Sequence, residues 1–257
     1  MSRLSTAFKN QPKCFIPFVT AGHPDLDTTE RIIVELVAAG SDIVEIGIPF
    51  SDPIADGPVI QRSSFQALEH GYSMRDYIEM VGRVRAKTDA GLIFMSYINP
   101  LLKYGLKRVE DEAASAGLDG LLISDLTPEE YALMDPIEKL DTVFLAAPTS
   151  SDQRLKNIAQ ASRGFLYLVA RTGVTGTHTQ IGEEIASSVG RIRRYTDIPI
   201  AVGFGIDSRE GVEQVWRHAD AAVVGSAIVR FIEEHKGEAE LSKQVGRYVR
   251  QLIPEAR

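Results

Sequence analysis

Short apolar runs alternate with amphipathic, helix-like stretches along the whole of this 257-residue chain, and the alternation repeats eight times. The strand candidates are residues 14–20, 43–47, 92–97, 120–124, 143–146, 165–170, 200–203 and 221–225. Between them, apolar residues recur at helical spacing over 28–39, 61–70 with 74–87, 107–116, 128–140, 152–162, 182–195 and 208–217, and again over 228–235 and 238–252 after the last strand. Strands that read as unbroken apolar runs are buried on both faces, as in a parallel sheet covered by helices. Eight such units favour closure over an open doubly wound sheet, and no G-x-G-x-x-G follows the first strand. The expected fold class is therefore α/β: a single (β/α)8 TIM barrel over residues 1–257, with extra short helices in the βα loops and at the N-terminus, where Leu4 and Phe8 stand four apart.

A barrel of this kind gathers its chemistry where the strands end, so the residues after each strand carry the functional reading. The net charge of −7, from 28 basic and 35 acidic residues without blocks, leaves no footprint for nucleic acid or an anionic membrane. No stretch approaches the ~20 apolar residues of a membrane helix, and residues 1–13 lack the apolar centre of a secretion signal, so a cytoplasmic location is expected. The one cysteine, Cys14, reads as a small buried hydrophobe at the start of the first strand. His23, His70, His178, His218 and His235 show no metal-ligand spacing, so no metal is expected.

The densest strand end lies in residues 44–61, Val-Glu-Ile-Gly-Ile-Pro-Phe-Ser-Asp-Pro-Ile-Ala-Asp-Gly-Pro-Val-Ile-Gln. Glu45 interrupts an apolar strand between Val44 and Ile46, which makes it a candidate desolvated acid. Three prolines and two glycines stiffen the following loop, which carries Asp52 and Asp56. If that loop folds back over the strand end, Glu45 and Asp56 converge on one ligand as an acid/base pair. Two alternatives stay open: Glu45 pairs with a basic residue in the core, and Asp56 caps the helix that starts near Pro58.

Strand 6 runs into Arg171-Thr172-Gly173-Val174-Thr175-Gly176-Thr177, a stretch with little to pack that suits either a lid or a solvated connector. Strands 7 and 8 end in Gly203-Phe204-Gly205 and Gly225-Ser226, the latter at a helix start. Two adjacent glycine pairs favour an anion site over two tight turns, because glycine lets backbone N–H groups approach a phosphate and a helix N-terminus adds free donors.

These residues together resemble the α subunits of tryptophan synthase. The matching signatures are residues 15–22 (Phe-Ile-Pro-Phe-Val-Thr-Ala-Gly), 44–61, 122–126 (Leu-Ile-Ser-Asp-Leu), 171–176, 203–205 and 225–227, in the family's order from first strand to last. The glutamate strand with its Pro-Phe-Ser-Asp-Pro loop is the specific part. Gly-Phe-Gly and Gly-Ser alone are not.

The resemblance implies cleavage of indole-3-glycerol phosphate to indole and glyceraldehyde 3-phosphate by a retro-aldol reaction. It assigns proton transfer to Glu45 and stabilisation of the charged ring to Asp56. It places Phe18, Ile60, Met95 and Leu122 around the indole ring, Tyr167 near Glu45, and Thr175 in a lid reaching the loop carboxylate. Gly176, Gly205, Gly225 and Ser226 match the phosphate cradle, while Pro53 and Asn99 fall at the contact with a β subunit in an α2β2 complex. No cofactor is implied for this chain; pyridoxal phosphate belongs to the β subunit, which receives the indole. Met95 and Ser124 depart from the family's commonest choices, and His23 stands where some members have an acid, which bears on pocket shape and interface detail. A stand-alone indole-3-glycerol phosphate lyase and a catalytically silent activator are the alternatives, the latter opposed by intact Glu45, Asp56 and both glycine pairs.

Overall fold

Strands buried on both faces and helices with one apolar stripe are what the computed structural model contains, over residues 2–169, 178–203 and 205–255, with 178–181 described by backbone alone. The first half runs α1 (Arg3–Asn10), β1 (Cys14–Thr20), α2 (Leu26–Ala38), β2 (Ile43–Gly47), α3 (Pro58–Glu69), α4 (Met74–Arg85), β3 (Gly91–Ser96), α5 (Ile98–Tyr104), α6 (Leu106–Ala116) and β4 (Gly120–Ile123). It continues with α7 (Pro128–Tyr131), β5 (Asp141–Val143), β6 (Leu145–Ala146), α8 (Asp152–Ala161), β7 (Leu166–Val169) and α9 (His178–Ile192). The last part is β8 (Ile200–Gly203), α10 (Arg209–Trp216), β9 (Ala221–Val224), α11 (Ser226–His235) and α12 (Leu241–Leu252).

All strand pairs are parallel, in the order β5-β4-β3-β2-β1-β9-β8-β7-β6. The expected strand at 143–146 is split. β5 and β6 are consecutive pieces of chain on either side of Phe144, one paired with β4 and the other with β7. The two edges of the sheet are thus joined by the chain itself, and the ring closes as an eight-stranded barrel would.

Alternation along the strands divides the buried residues into two cores. Ile16, Ile43, Ile93, Leu122, Val143, Phe165 and Val223 form one cluster, the barrel interior. Their sequence neighbours Phe15, Val44, Phe94, Leu121, Phe144, Leu166 and Val224 belong to the second cluster, between strands and helices. The N-terminal end of the interior is plugged by α1. Leu4 is fully buried, and a Cβ on Gly91 would sit 2.7 Å from Leu4 Cδ2, so glycine there makes room for the plug. Phe8 adds a tilted ring contact with Phe165 at 5.8 Å. Asp119 ties this end together, accepting from Arg85 at 2.7 Å, from Arg3 at 3.2 Å and from the Leu92 amide at 2.9 Å. With that end sealed, the open end is the one where the strands finish.

One expected helix is cut short and one further helix forms, each for an identifiable reason. The helix expected over 128–140 stops at Tyr131, because Pro136 cannot continue it and the buried Glu110 carboxylate accepts the Glu138 and Lys139 amides at 2.6 and 2.7 Å. Residues 98–104, between the expected strand 92–97 and the expected helix 107–116, form α5. Pro100 falls in its first turn, where a missing N–H is tolerated.

Candidate active site

Glu45 lies on the inner face of β2, in register with Phe18 on β1 and Ile93 on β3. It is 1% exposed, and among the described residues its Oε1 has no hydrogen-bond partner. Burial, reinforced by the nearby Asp56 carboxylate, pushes its pKa up to about 8. Among the described residues no base pairs with it, which leaves the ion-pair alternative without support there, and a pKa of about 8 favours the protonated carboxyl at neutral pH.

The loop after β2 folds back over the barrel mouth and is fixed at several points. Ile48 N donates to Met95 O at 2.8 Å, Asp56 N to Pro53 O at 3.0 Å, and Gln61 Nε2 to Asp56 O at 2.8 Å. Tyr97, two residues beyond Met95, completes the clamp: its hydroxyl accepts from Ala55 N at 2.9 Å and donates to Asp56 Oδ2 at 3.1 Å. Its ring packs on Phe50 with centroids 5.1 Å apart. The sequence reading passed over Tyr97, whose only signal was an aromatic hydroxyl at a strand end. Asp56 does not cap α3, whose N-cap is Gly57 with no side-chain bond. Burial raises the Asp56 pKa while the Tyr97 hydrogen bond opposes the rise. Asp56 thus lies close enough to Glu45 for its charge to add to the rise that burial imposes on the Glu45 pKa.

Beside Asp56 opens a small cleft lined by Phe18, Gly47, Ile48, Asp56, Ile60, Ser64, Met95, Ser96, Tyr97 and Ser124, with Glu45 outside the lining and two residues before Gly47 on the inner face of β2. Gly47 is required here, since a Cβ would collide with the Phe18 ring. Phe18, Asp56, Ile60 and Met95 thus meet as expected. Leu122 lies one layer deeper, fully buried in the interior cluster and paired with Met95. Tyr167 belongs to the same cluster, and burial with the Glu45 and Asp56 carboxylates raises its pKa well above the usual value. Gly203, where a Cβ would strike the Tyr167 hydroxyl, leaves room for it.

Gly203 pairs with Val223, so β8 and β9 end side by side. Gly205 follows with φ of +68°, and Gly225 precedes Ser226 at the start of the ten-residue α11, an N-terminus without a side-chain cap. Thr175 and Gly176 lie outside the described residues. Pro53 is buried within this chain, whereas its neighbour Ile54 is 86% exposed. Asn99 is exposed on α5, and Leu102 (52%) and Leu133 (89%) are exposed after β3 and β4. No group of three or more His, Cys, Asp or Glu that could hold a metal occurs among the described residues, and none of their helices is long and apolar enough to cross a membrane.

Comparison with known proteins gives this geometry a family. The family model described as tryptophan synthase alpha chain matches residues 4–253. Tryptophan synthase alpha chains of Citrifermentans bemidjiense and Geobacter sulfurreducens are 44% and 43% identical to this chain, covering 98% of it and 97% and 98% of themselves. Among solved structures, tryptophan synthase subunit alpha from Legionella pneumophila superposes with a TM-score of 0.89 at 31% identity, covering 98% of this chain and 97% of its own. An aminoacrylate-bound tryptophan synthase from M. tuberculosis gives 0.85 at 32% identity, covering 99% and 100%. A barrel matched from end to end in sequence and in structure, with a buried glutamate beside a clamped aspartate at its mouth, belongs to the tryptophan synthase alpha chain family.

Proposed function

We propose that this chain is a lyase that cleaves indole-3-glycerol phosphate to indole and glyceraldehyde 3-phosphate. The observation that carries this reading is the buried Glu45, whose Oε1 has no hydrogen-bond partner among the described residues and whose pKa burial pushes up to about 8, next to a cleft lined by Asp56. The Glu45 carboxyl gives its proton to the ring carbon that bears the glycerol chain, and the resulting positive charge spreads to the ring nitrogen. The Asp56 carboxylate accepts the hydrogen bond of that N–H and stabilises the charge where it develops. Glu45, now a carboxylate, removes the proton from the hydroxyl on the adjacent carbon. That carbon becomes the aldehyde, the electrons of the breaking carbon–carbon bond return to the ring, and Glu45 is protonated again. Phe18, Ile60, Met95, Leu122 and Tyr167 surround the ring, and Gly205, Gly225 and Ser226, with Gly176, receive the phosphate. Two carboxylates and hydrogen-bond donors suffice for this chemistry, so the reading assigns this chain no cofactor.

Release of indole and glyceraldehyde 3-phosphate in equal amounts tests the reaction. Because Glu45 must begin protonated, kcat/KM is expected to fall as pH rises through about 8, the value to which burial lifts this carboxyl. A profile flat from pH 7 to 9 would remove Glu45 as the initiating acid.

The partner in this reading is a pyridoxal-phosphate-bearing β subunit that takes up the indole in an α2β2 complex. The exposed Ile54, Leu102 and Leu133 follow three consecutive strands at the mouth and supply apolar area for such a contact, with Asn99 beside them and Pro53 setting the loop from below. Ile54 and Asp56 share one short loop, so docking there fixes a catalytic group, and a misplacement of about 1 Å can cost roughly 10²-fold in rate. Adding a β subunit is expected to raise indole release about tenfold or more. A rate unchanged across the titration favours the stand-alone lyase.

A further inference from the structure

We propose that the Ser124 hydroxyl selects among indole rings, favouring one that carries a hydroxyl on its six-membered half. The inference rests on the lyase reading and adds a ring specificity to it. Ser124 N donates to Ser96 O at 2.8 Å, which carries the β3–β4 pairing one step beyond Ile123. By strand alternation the side chain therefore stays on the inner face above Leu122, beside Tyr97, and it lines the cleft.

Its hydroxyl is buried and, among the described residues, has no hydrogen-bond partner. Two neighbouring hydroxyls of the cleft are engaged. Ser96 Oγ donates to Tyr97 O at 2.9 Å and the Tyr97 hydroxyl to Asp56 Oδ2 at 3.1 Å, while Ser64 lines the same cleft. The ring N–H is taken by Asp56, and Phe18, Ile48, Ile60 and Met95 offer only apolar surface. A plain ring would set carbon against the Ser124 oxygen and leave it unpaired, whereas a ring hydroxyl would meet a group able both to donate and to accept. A site built around a buried polar group discriminates strongly for the ligand that pairs with it.

The test runs the reaction in reverse, condensing glyceraldehyde 3-phosphate with 4-, 5-, 6- and 7-hydroxyindole, each compared with the methylindole substituted at the same position. At one position the wild-type protein is expected to prefer hydroxyl over methyl by about tenfold in kcat/KM, the order of one hydrogen bond. That ratio should collapse in Ser124→Ala and shrink in Ser124→Cys, with circular dichroism confirming the fold of both. No hydroxyl preference at any position in the wild type would overturn the proposal whether or not the variants fold, and so would a preference that survives in Ser124→Ala. Condensation of plain indole by the wild type keeps the two readings apart: if it fails, the lyase itself is wrong, and if it succeeds without hydroxyl preference, only the ring specificity is.

Discussion

Glu45→Gln is expected to slow cleavage of indole-3-glycerol phosphate by at least ~100-fold and at the same time to make the barrel harder to unfold. The loss follows from the two proton transfers that an amide cannot perform. The gain follows from burial. A carboxyl whose folded pKa is lifted from 4.5 to about 8 binds its proton more tightly in the folded chain than in the unfolded one. Its favourable contribution is complete below pH 4.5, is lost steadily as pH rises towards 8, and changes no further above that. The loss runs at about 1.4 kcal/mol per pH unit, or about 3 kcal/mol by pH 7. Glutamine has the same shape and no titration, so the variant escapes the loss. Urea unfolding should show a small gain at pH 5 that grows towards pH 8. A gain independent of pH, or a destabilised variant, would mean that Glu45 is not held protonated by its surroundings.

Ser226→Asp is expected to weaken binding of glycerol 3-phosphate by roughly 100-fold, the cost of setting a carboxylate against a dianion at a helix N-terminus. α11 begins at this residue with no side-chain cap, in contrast with α1, α2, α8 and α10, whose Ser2, Asp25, Ser151 and Ser208 bond to backbone amides of the first turn. Its first-turn donors are thereby left for a ligand, and the end of β8 places Gly205 alongside. A new aspartate in the first turn would suit the helix dipole while repelling phosphate, so the variant should fold normally and lose affinity. Calorimetric titration with unchanged affinity would move the phosphate elsewhere.

The strands were legible wherever an apolar run ended at a polar residue or glycine: β1, β2 and β8 fall where the sequence places them. The 128–140 segment was not, because what stops a helix there is Glu110, a side chain eighteen or more positions earlier that takes two backbone amides. Glu45 and Asp56 stood out as carboxylates in a rigid apolar setting, yet the burial of Glu45 and the hydrogen bond from Tyr97 to Asp56 are revealed by no local pattern. Tyr97 matters only once the 48–57 loop has folded back onto it. Pro53 was singled out as a contact residue, but folding buries it and presents Ile54 instead. The Ser124 hydroxyl reads in sequence as one more polar residue after a strand, and only the closed ring shows it inward and unpaired.

Cleavage of indole-3-glycerol phosphate in D2O follows the proton that Glu45 is proposed to deliver to the ring carbon from which the glycerol chain departs. Glu45 exchanges its proton with solvent, so the wild-type protein is expected to release indole carrying one deuterium at that carbon, in step with glyceraldehyde 3-phosphate, and Glu45→Gln almost none. Indole formed without deuterium at that carbon, or formed by Glu45→Gln at the wild-type rate, would contradict proton delivery by Glu45.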